Sequence, residues 1–352
     1  MTLLIKLFLI SSLGLGTTLT FMSSHWLLAW IGLEINTLAI LPLMAQRHHP
    51  RATEAATKYL LIQAASTAML LYATTFNAWS QGEWNIVQIN DQIATTLIVL
   101  ALAMKLGLAP FHFWLPEVMQ GLTLITGLIL ATWQKLAPLA LLLQISHVAH
   151  PLILTALGIT STLMAGWAGM NQTQLRKIMA YSSTAHLGWI IIIIQYTPHL
   201  AVLTLGIYVF MTMTAFLTLK ATSSTKINML AQSWSKNPVM ATIMLLILLS
   251  LAGLPPLTGF LPKWLILEEL TKQAMTALAT LIAMSALLSL YFYMRLCYSS
   301  TLTLFPSMTM LKISWRRFYT KKAKILLPTA TAVALILLPL APLITALTRY
   351  YS

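Results

Sequence analysis

Apolar residues run along this chain in stretches of about twenty, separated by short gaps that hold nearly all of its charges. About 20 apolar residues is the length a helix needs to cross the hydrocarbon core of a bilayer. Eleven such stretches can be read, at residues 3–21, 24–45, 57–78, 93–121, 122–144, 150–170, 174–196, 199–220, 238–269, 272–298 and 325–348. The pattern predicts an all-α polytopic membrane protein with about eleven transmembrane helices. The fourth and ninth stretches are too long for one simple crossing, and both contain prolines. The seventh opens on an amphipathic turn.

Those prolines form a repeat. Residues 107–116 read G-L-A-P-F-H-F-W-L-P and residues 253–262 read G-L-P-P-L-T-G-F-L-P, so both fit G-L-x-P-x4-L-P at an offset of 146. Five crossings lie between the two copies, and an odd number turns the second unit upside down relative to the first. Gly/Pro-interrupted spans at corresponding places in two inverted halves point to a transport site. Proline removes an amide donor and clashes with the preceding turn. The carbonyls it frees are tolerable at membrane depth only when buried in protein or facing water. A kink that serves packing alone is the competing reading for either proline taken singly. The expected organisation is one membrane domain: a five-helix repeat over 1–147, an inverted one over 148–298, a basic connection over 299–324 and a C-terminal helix over 325–352.

The charges orient this array, because lysine and arginine in short loops collect on the side where the chain is made. One side receives Lys6, Arg47, Arg51, Lys58, Arg176, Lys177, Lys220, Lys226, Lys236 and Arg295. The run Lys312, Arg316, Arg317, Lys321, Lys322 and Lys324 falls there too. The other side receives Lys272 and Arg349, with Glu83, Asp91, Glu268 and Glu269. A bias of sixteen to two places the N-terminus on the side of synthesis and the C-terminus opposite. Trp315, Phe318 and Tyr319 alternate with basic residues in the 299–324 connection. A solvated loop and an interfacial helix touching anionic lipid both fit that pattern.

Composition narrows the function. The chain is 58% hydrophobic and 8% charged, and its mean hydropathy is +0.81. Soluble domains carry about 25% charged residues, which excludes a soluble globule. A formal charge of +14 could signal nucleic acid, but the positive residues are dispersed in gaps between spans and form no phosphate-tracking patch. The single cysteine, Cys297, excludes an internal disulfide framework and a multi-cysteine metal or iron–sulfur site. No cleavage site follows the first apolar run, so no signal peptide is expected. Nor is there a Walker loop, a dinucleotide fingerprint or an H-E-x-x-H motif.

Four charges fall where none is expected. Glu34, Lys105, Lys135 and Lys263 lie inside spans two, four, five and nine. A charge at the centre of a membrane helix costs roughly 2.5–3.5 kcal/mol on insertion scales, and such a residue normally faces a bundle interior or a wet cavity. Dehydration favours a neutral amine and a neighbouring carboxylate opposes that, so a lysine balanced between the two can load and release a proton. A static ion pair between Glu34 and one lysine is the competing reading. His112, inside the broken fourth span, and His186, closing the polar run Tyr181-Ser182-Ser183-Thr184-Ala185-His186, are weaker candidates. For each, a hydrogen-bonded structural role competes.

Five ordered blocks resemble a known family. They are W-I-G-L-E-I-N over 30–36, M-K-L-G-L-A-P-F-H-F-W-L-P-E over 104–117 and W-Q-K-L-A-P over 133–138, then A-Y-S-S-T-A-H over 180–186 and G-L-P-P-L-T-G-F-L-P-K-W over 253–264. Together they resemble the subunit 2 family of mitochondrial NADH:ubiquinone oxidoreductase, respiratory complex I, in an animal form. The resemblance covers the whole chain. It implies an antiporter-like, proton-translocating membrane-arm subunit that binds no redox cofactor itself. The complex around it would use NADH, FMN, iron–sulfur clusters and ubiquinone. Carried over by matching motif, Glu34 resembles the family's mid-membrane glutamate and Lys105 the lysine of its first broken helix. Lys135 resembles the bridging residue on the next helix, and Lys263 the residue on the second broken helix. Implied partners are other membrane-arm subunits, antiporter-like and small core ones among them, and lipids with cardiolipin a candidate; nucleic acid is not among them. The implied location is the mitochondrial inner membrane, N-terminus in the matrix and C-terminus in the intermembrane space. A free-standing cation/proton antiporter and a non-conducting assembly scaffold remain open alternatives.

Overall fold

The computed structural model describes residues 3–45, 49–89, 91–236, 238–302 and 323–336, with single positions 339 and 346. Arg47, Arg349 and most of the 299–324 connection, with Lys312, Arg316, Arg317, Lys321 and Lys322, lie outside the described residues, as does most of the expected last helix beyond 336. The chain divides into two compact units, Met1–Ser161 and Thr162–Ser352.

The first unit holds α1 (Leu3–Met22), α2 (Trp26–Met44), α3 (Pro50–Gln81), α4 (Gln92–Leu106), α5 (Trp114–Gly121), α6 (Leu124–Ala131), α7 (Trp133–Ile145) and the start of α8 (Pro151–Met170). The second holds the rest of α8, then α9 (Leu175–Ile194), α10 (Pro198–Thr222), α11 (Ile227–Ala231), α12 (Ser233–Lys236), α13 (Pro238–Ala252), α14 (Phe260–Lys272), α15 (Thr276–Thr301) and α16 (Ala323–Ile336). Among the described residues there is no strand, and eight helical stretches are long and apolar enough to cross a membrane, with α6 and α7 counted together. Shorter apolar helices are α4 and α13. These are the leading halves of the two proline-interrupted stretches.

Local chemistry sets the ends. α3 starts seven residues before its apolar window, because Pro50 suits the first helical turn and the His49 ring accepts the Arg51 amide. It stops at Gly82, whose φ of 75° is left-handed. α1 and α2 approach closely at Gly16 and Gly32. A Cβ on Gly32 would lie 2.9 Å from the Gly16 carbonyl oxygen. Small residues of this kind are what let membrane helices pack backbone to backbone.

The two interruptions are built alike, and glycine rather than proline ends the helix in each. Gly107 (φ 75°) donates to the Ala103 and Met104 carbonyls, and the Leu108 amide reaches back to Ala103 at 3.0 Å. Gly253 (φ 85°) donates to Ser250, and the Leu254 amide reaches back to Leu249 at 3.3 Å. Both are left-handed glycine terminators that satisfy the last helical carbonyls. Pro110 and Pro256 follow three residues later and deny the chain an immediate return to helix. Regular α-helix resumes at Trp114 and at Phe260.

Candidate functional site

Lys105 stands on the last turn of α4, one residue before its final leucine, and is 6% exposed. Its amine has no hydrogen-bond partner among the described residues. Lys135 lies on α7, three residues beyond the bend at Thr132, and is 3% exposed. That bend separates α6 from α7; the Thr132 hydroxyl donates to the Leu128 carbonyl at 2.8 Å, a local bond of the sort that deflects helices. The two lysines share a space. Both line one cavity of about 20 Å³, together with Asn36 from α2, Tyr59 and Gln63 from α3, and Gln134 from α7.

Glu34 enters from α2, half-buried, and its carboxylate accepts the Thr37 hydroxyl at 3.1 Å. It interacts electrostatically with both Lys105 and Tyr59, and it makes no direct ion pair with the lysine. This differs from the static Glu–Lys clamp that the sequence left open. Two groups coupled at a distance respond to each other's charge without being locked together.

In the second unit Lys263 sits one turn into α14, half-buried, and its amine donates to the Ala252 carbonyl at 2.7 Å. The side chain crosses directly over Gly253, where a Cβ would lie 2.9 Å from the amine nitrogen. Lys263 and His186 line a second cavity of about 20 Å³ with Tyr208, Thr204 and Pro262. The rings of His186 and Tyr208 are 5.6 Å apart. Ser182, Ser183 and Thr184 before His186 are buried, and each hydroxyl donates to the carbonyl three residues back. His112 is buried in the gap between α4 and α5, its ring 4.4 Å from that of Phe113 and hydrogen-bonded to the Pro110 backbone. It is not among the side chains that line either cavity.

Glu117 lies on α5 near the exposed end of α3, where Lys58 holds both it and Glu54 at 2.8 Å. That triad is solvent-facing and apart from the buried lysines. The cavity residues Asn36, Tyr59, Gln63, Gln134 and Tyr208 were not singled out by the sequence reading. A signal did exist: three are amides inside apolar spans, one beside Lys135 and one two residues past Glu34.

Buried lysines beside interrupted membrane helices, with a carboxylate coupled to one of them, define a polytopic ion-translocating protein. The chain matches the family described as NADH:quinone oxidoreductase/Mrp antiporter, transmembrane, over residues 23–289, and NADH dehydrogenase subunit 2, C-terminus, over 290–345. It is 60% identical over 344 residues to NADH-ubiquinone oxidoreductase chain 2 of Carassius auratus, covering 98% of this chain and 99% of that one. To the protein of that name from Cyprinus carpio it is 61% identical over 342 residues, 97% of each chain. Among solved structures it resembles a chain of respiratory complex I from Thermus thermophilus with bound aureothin. There the TM-score is 0.85 at 28% identity, covering 96% of this chain and 79% of that one. The chain therefore belongs to the NADH:quinone oxidoreductase/Mrp antiporter family, in its NADH dehydrogenase subunit 2 branch.

Proposed function

We propose that this chain is the antiporter-like, proton-translocating subunit 2 of a respiratory NADH:ubiquinone oxidoreductase, working in the mitochondrial inner membrane. Its part is to move protons along Glu34, Lys105, Lys135 and Lys263, with His186 on the same route and His112 beside the first helix break. NADH, FMN, iron–sulfur clusters and ubiquinone act elsewhere in the complex, and this chain binds none of them. The observation that carries the reading is the convergence of Lys105 and Lys135, from two helices, on one small cavity beside an interrupted helix.

The chemistry follows from that placement. Glu34 and Lys105 are coupled by Coulomb's law in a medium of low dielectric. A movement or protonation of Glu34 therefore changes how tightly Lys105 holds its proton. Released, the proton has an amine acceptor, Lys135, lining the same cavity. Lys263 and His186 repeat the arrangement of two protonatable side chains on one small cavity in the second unit. Supporting the wider architecture are the matching glycine terminators and the sixteen-to-two charge bias. The chain crosses eleven times as two inverted five-helix repeats, 1–147 and 148–298, plus a last helix. Each interrupted pair, α4 with α5 and α13 with α14, counts as one span. The N-terminus faces the matrix and the C-terminus the intermembrane space. Its neighbours are other membrane-arm subunits, and the 299–324 connection meets anionic lipid, cardiolipin being the candidate.

The test is Lys105→Met in the intact complex. Methionine matches the aliphatic stem and suits apolar surroundings, so packing loss is small. Assembly should persist, while NADH:quinone turnover and proton uptake into sealed vesicles both fall several-fold. Wild-type stoichiometry in fully assembled mutant complex would overturn the reading.

A further inference from the structure

Most threonine hydroxyls in these helices donate to a carbonyl three or four residues back in their own helix, as at Thr20, Thr74 and Thr218. Thr258 does not. It lies in the interruption between α13 and α14, is 1% exposed, and its hydroxyl donates to the Ala334 carbonyl of α16. That partner comes from a different part of the chain. α16 falls in the 290–345 segment matched by the subunit 2 C-terminus family, whereas α13 and α14 fall in the antiporter segment, 23–289. α16 packs against α10 and α13, and its Leu327, Ala330, Thr331 and Ala334 are buried at helical spacing. Two of the four are alanines, small enough to let another backbone approach. In the first unit the tie runs the other way: the Ala109 carbonyl of the interruption accepts the Thr160 hydroxyl of α8 at 3.3 Å, and that hydroxyl also donates to Ala156 in its own helix at 2.8 Å. At the offset of 146 residues the position of Thr258 is held by His112. The undivided threonine tie is therefore a property of the second interruption.

We infer that Thr258 is a positioning residue for Lys263, pinning the start of α14 to the C-terminal helix α16. The inference rests on the proton-path reading above, in which Lys263 takes part. Thr258 stands at the threshold of α14, where its own carbonyl accepts the Leu261 amide at 3.2 Å. Two other ties hold the same turn, and both go to α13. Gly259 lies so close to the Ser250 carbonyl that a Cβ there would overlap its oxygen, and the Lys263 amine holds the Ala252 carbonyl at 2.7 Å. The second of these is lost whenever the amine leaves its seat. A carbonyl oxygen has two lone pairs, so Ala334 can accept the hydroxyl without giving up a place in its helix. The Thr258 bond does not involve the amine and stays in place when the amine leaves. It keeps the first turn of α14 in register, so that the side chain returns to the same carbonyl. The C-terminal helix thus braces the second interruption, and Thr258 is the contact through which it does so.

The experiment uses the intact complex carrying Thr258→Val, isosteric and without the hydroxyl, or Thr258→Ser, which keeps it. Each is measured for NADH:quinone turnover, proton uptake in sealed vesicles and amide hydrogen exchange over residues 253–262. Thr258→Val should speed exchange in that stretch and lower pumping by about fivefold, the factor that one neutral hydrogen bond commonly carries. Thr258→Ser should restore both. Wild-type pumping in assembled Thr258→Val complex would overturn the inference, whether or not exchange rises, and so would an equal loss in Thr258→Ser. If Thr258→Val does not assemble, Thr258→Ala, too small to clash, carries the same prediction and the same refutation. Lys263→Met measured alongside separates the two levels. If it loses pumping while the Thr258 variants do not, only the role of Thr258 falls; if it too pumps normally, the proton path through Lys263 falls.

Discussion

Replacing Gly253 with alanine changes one methyl group and should disable Lys263 without touching it. Two effects add at this position. The first is conformational: Gly253 holds φ 85°, and an L-residue in the left-handed region costs roughly 1–2 kcal/mol. The second is steric, since the new Cβ would sit 2.9 Å from both the amine nitrogen and the Cδ of Lys263 and 3.2 Å from Cε. A flexible lysine yields by swinging away, and in doing so it leaves the Ala252 carbonyl that its amine now holds at 2.7 Å. A hydrogen bond from a charged group is worth about 1.5–3 kcal/mol. At 1.4 kcal/mol per factor of ten, that bond favours the present seat on the order of 10- to 100-fold, and this preference is what is lost when the contacts at 2.9 Å displace the side chain. Pumping by the assembled complex should then drop about as far as in Lys263→Met. The two variants differ in stability: Gly253→Ala also carries the backbone strain, so it should unfold at the lower temperature. The measurements are proton uptake per electron in sealed vesicles and the thermal midpoint of the purified complex. Assembled Gly253→Ala complex with wild-type proton stoichiometry would show that the seat of Lys263 over Gly253 has no part in translocation.

Two further outcomes follow from packing and from charge. Gly14→Ala and Gly32→Ala should act in opposite directions on thermal stability of the complex. Nothing lies within 4 Å of a Cβ at Gly14, so alanine there gains about 0.5–1 kcal/mol of helix preference, whereas at Gly32 it would meet Thr20 at 2.6 Å and the Gly16 carbonyl at 2.9 Å. Overpacking of that kind costs typically 1–3 kcal/mol, so equal midpoints for the two variants would contradict the close approach of α1 and α2. Glu117→Gln should leave proton stoichiometry and assembly unchanged, because Lys58 keeps Glu54 at 2.8 Å and the triad is exposed. A loss of pumping in that variant would move Glu117 into the proton path.

The interruptions at 107–113 and 253–259 were legible because their cause is local. Glycine at the end of an apolar run followed by proline leaves a helix few choices. Even so, the sequence reading credited proline with the break, while the structure gives the terminating role to the left-handed glycines three residues earlier. Lys105 and Lys135 were legible as buried because a lysine in an apolar span has nowhere else to go. Their sharing of a cavity with Asn36 and Gln63 was not. That depends on how α2, α3, α4 and α7 are rotated about their axes, and uniformly apolar helices carry almost no pattern of period 3.6 to reveal rotation. The bend at Thr132 was missed for a similar reason: threonine is common in these spans, and Thr160, Thr212 and Thr218 make the same bond to the carbonyl four residues back without a break in their helices. The first turns of α3 were missed because a hydropathy window penalises the charges Arg51, Glu54 and Lys58 that the exposed end of a helix tolerates.

The two interruptions share a motif but do not share a lysine position. At the offset of 146 residues, Gly107 matches Gly253 and Pro110 matches Pro256, yet Lys105 matches Leu251 and Lys263 matches Glu117. The backbone device is common to both units, and the charges have been placed around it independently. The consequence appears in what completes each helix end. In the first unit the indole N–H of Trp114 donates to the Met104 carbonyl at 3.3 Å, and Lys105 is left with no backbone obligation. In the second unit the residue matching Trp114 is Phe260, which has no donor, and the Lys263 amine serves a terminal carbonyl instead. An amine that completes a helix end can leave only when that end gives up its donor, whereas an amine free of the backbone responds to charge alone. On the proposed proton path, Lys105 should therefore be the side chain that a distant carboxylate addresses. Lys263 is the one whose release would leave the interrupted helix without a donor on its last carbonyl. The order of events in translocation should follow the same asymmetry, electrostatic in the first unit and conformational in the second. Trp114→Lys would test it by giving the first unit a terminal amine as well: an added lysine that left the response of Lys105 to Glu34→Gln unaltered would show that the donor at the helix end is immaterial.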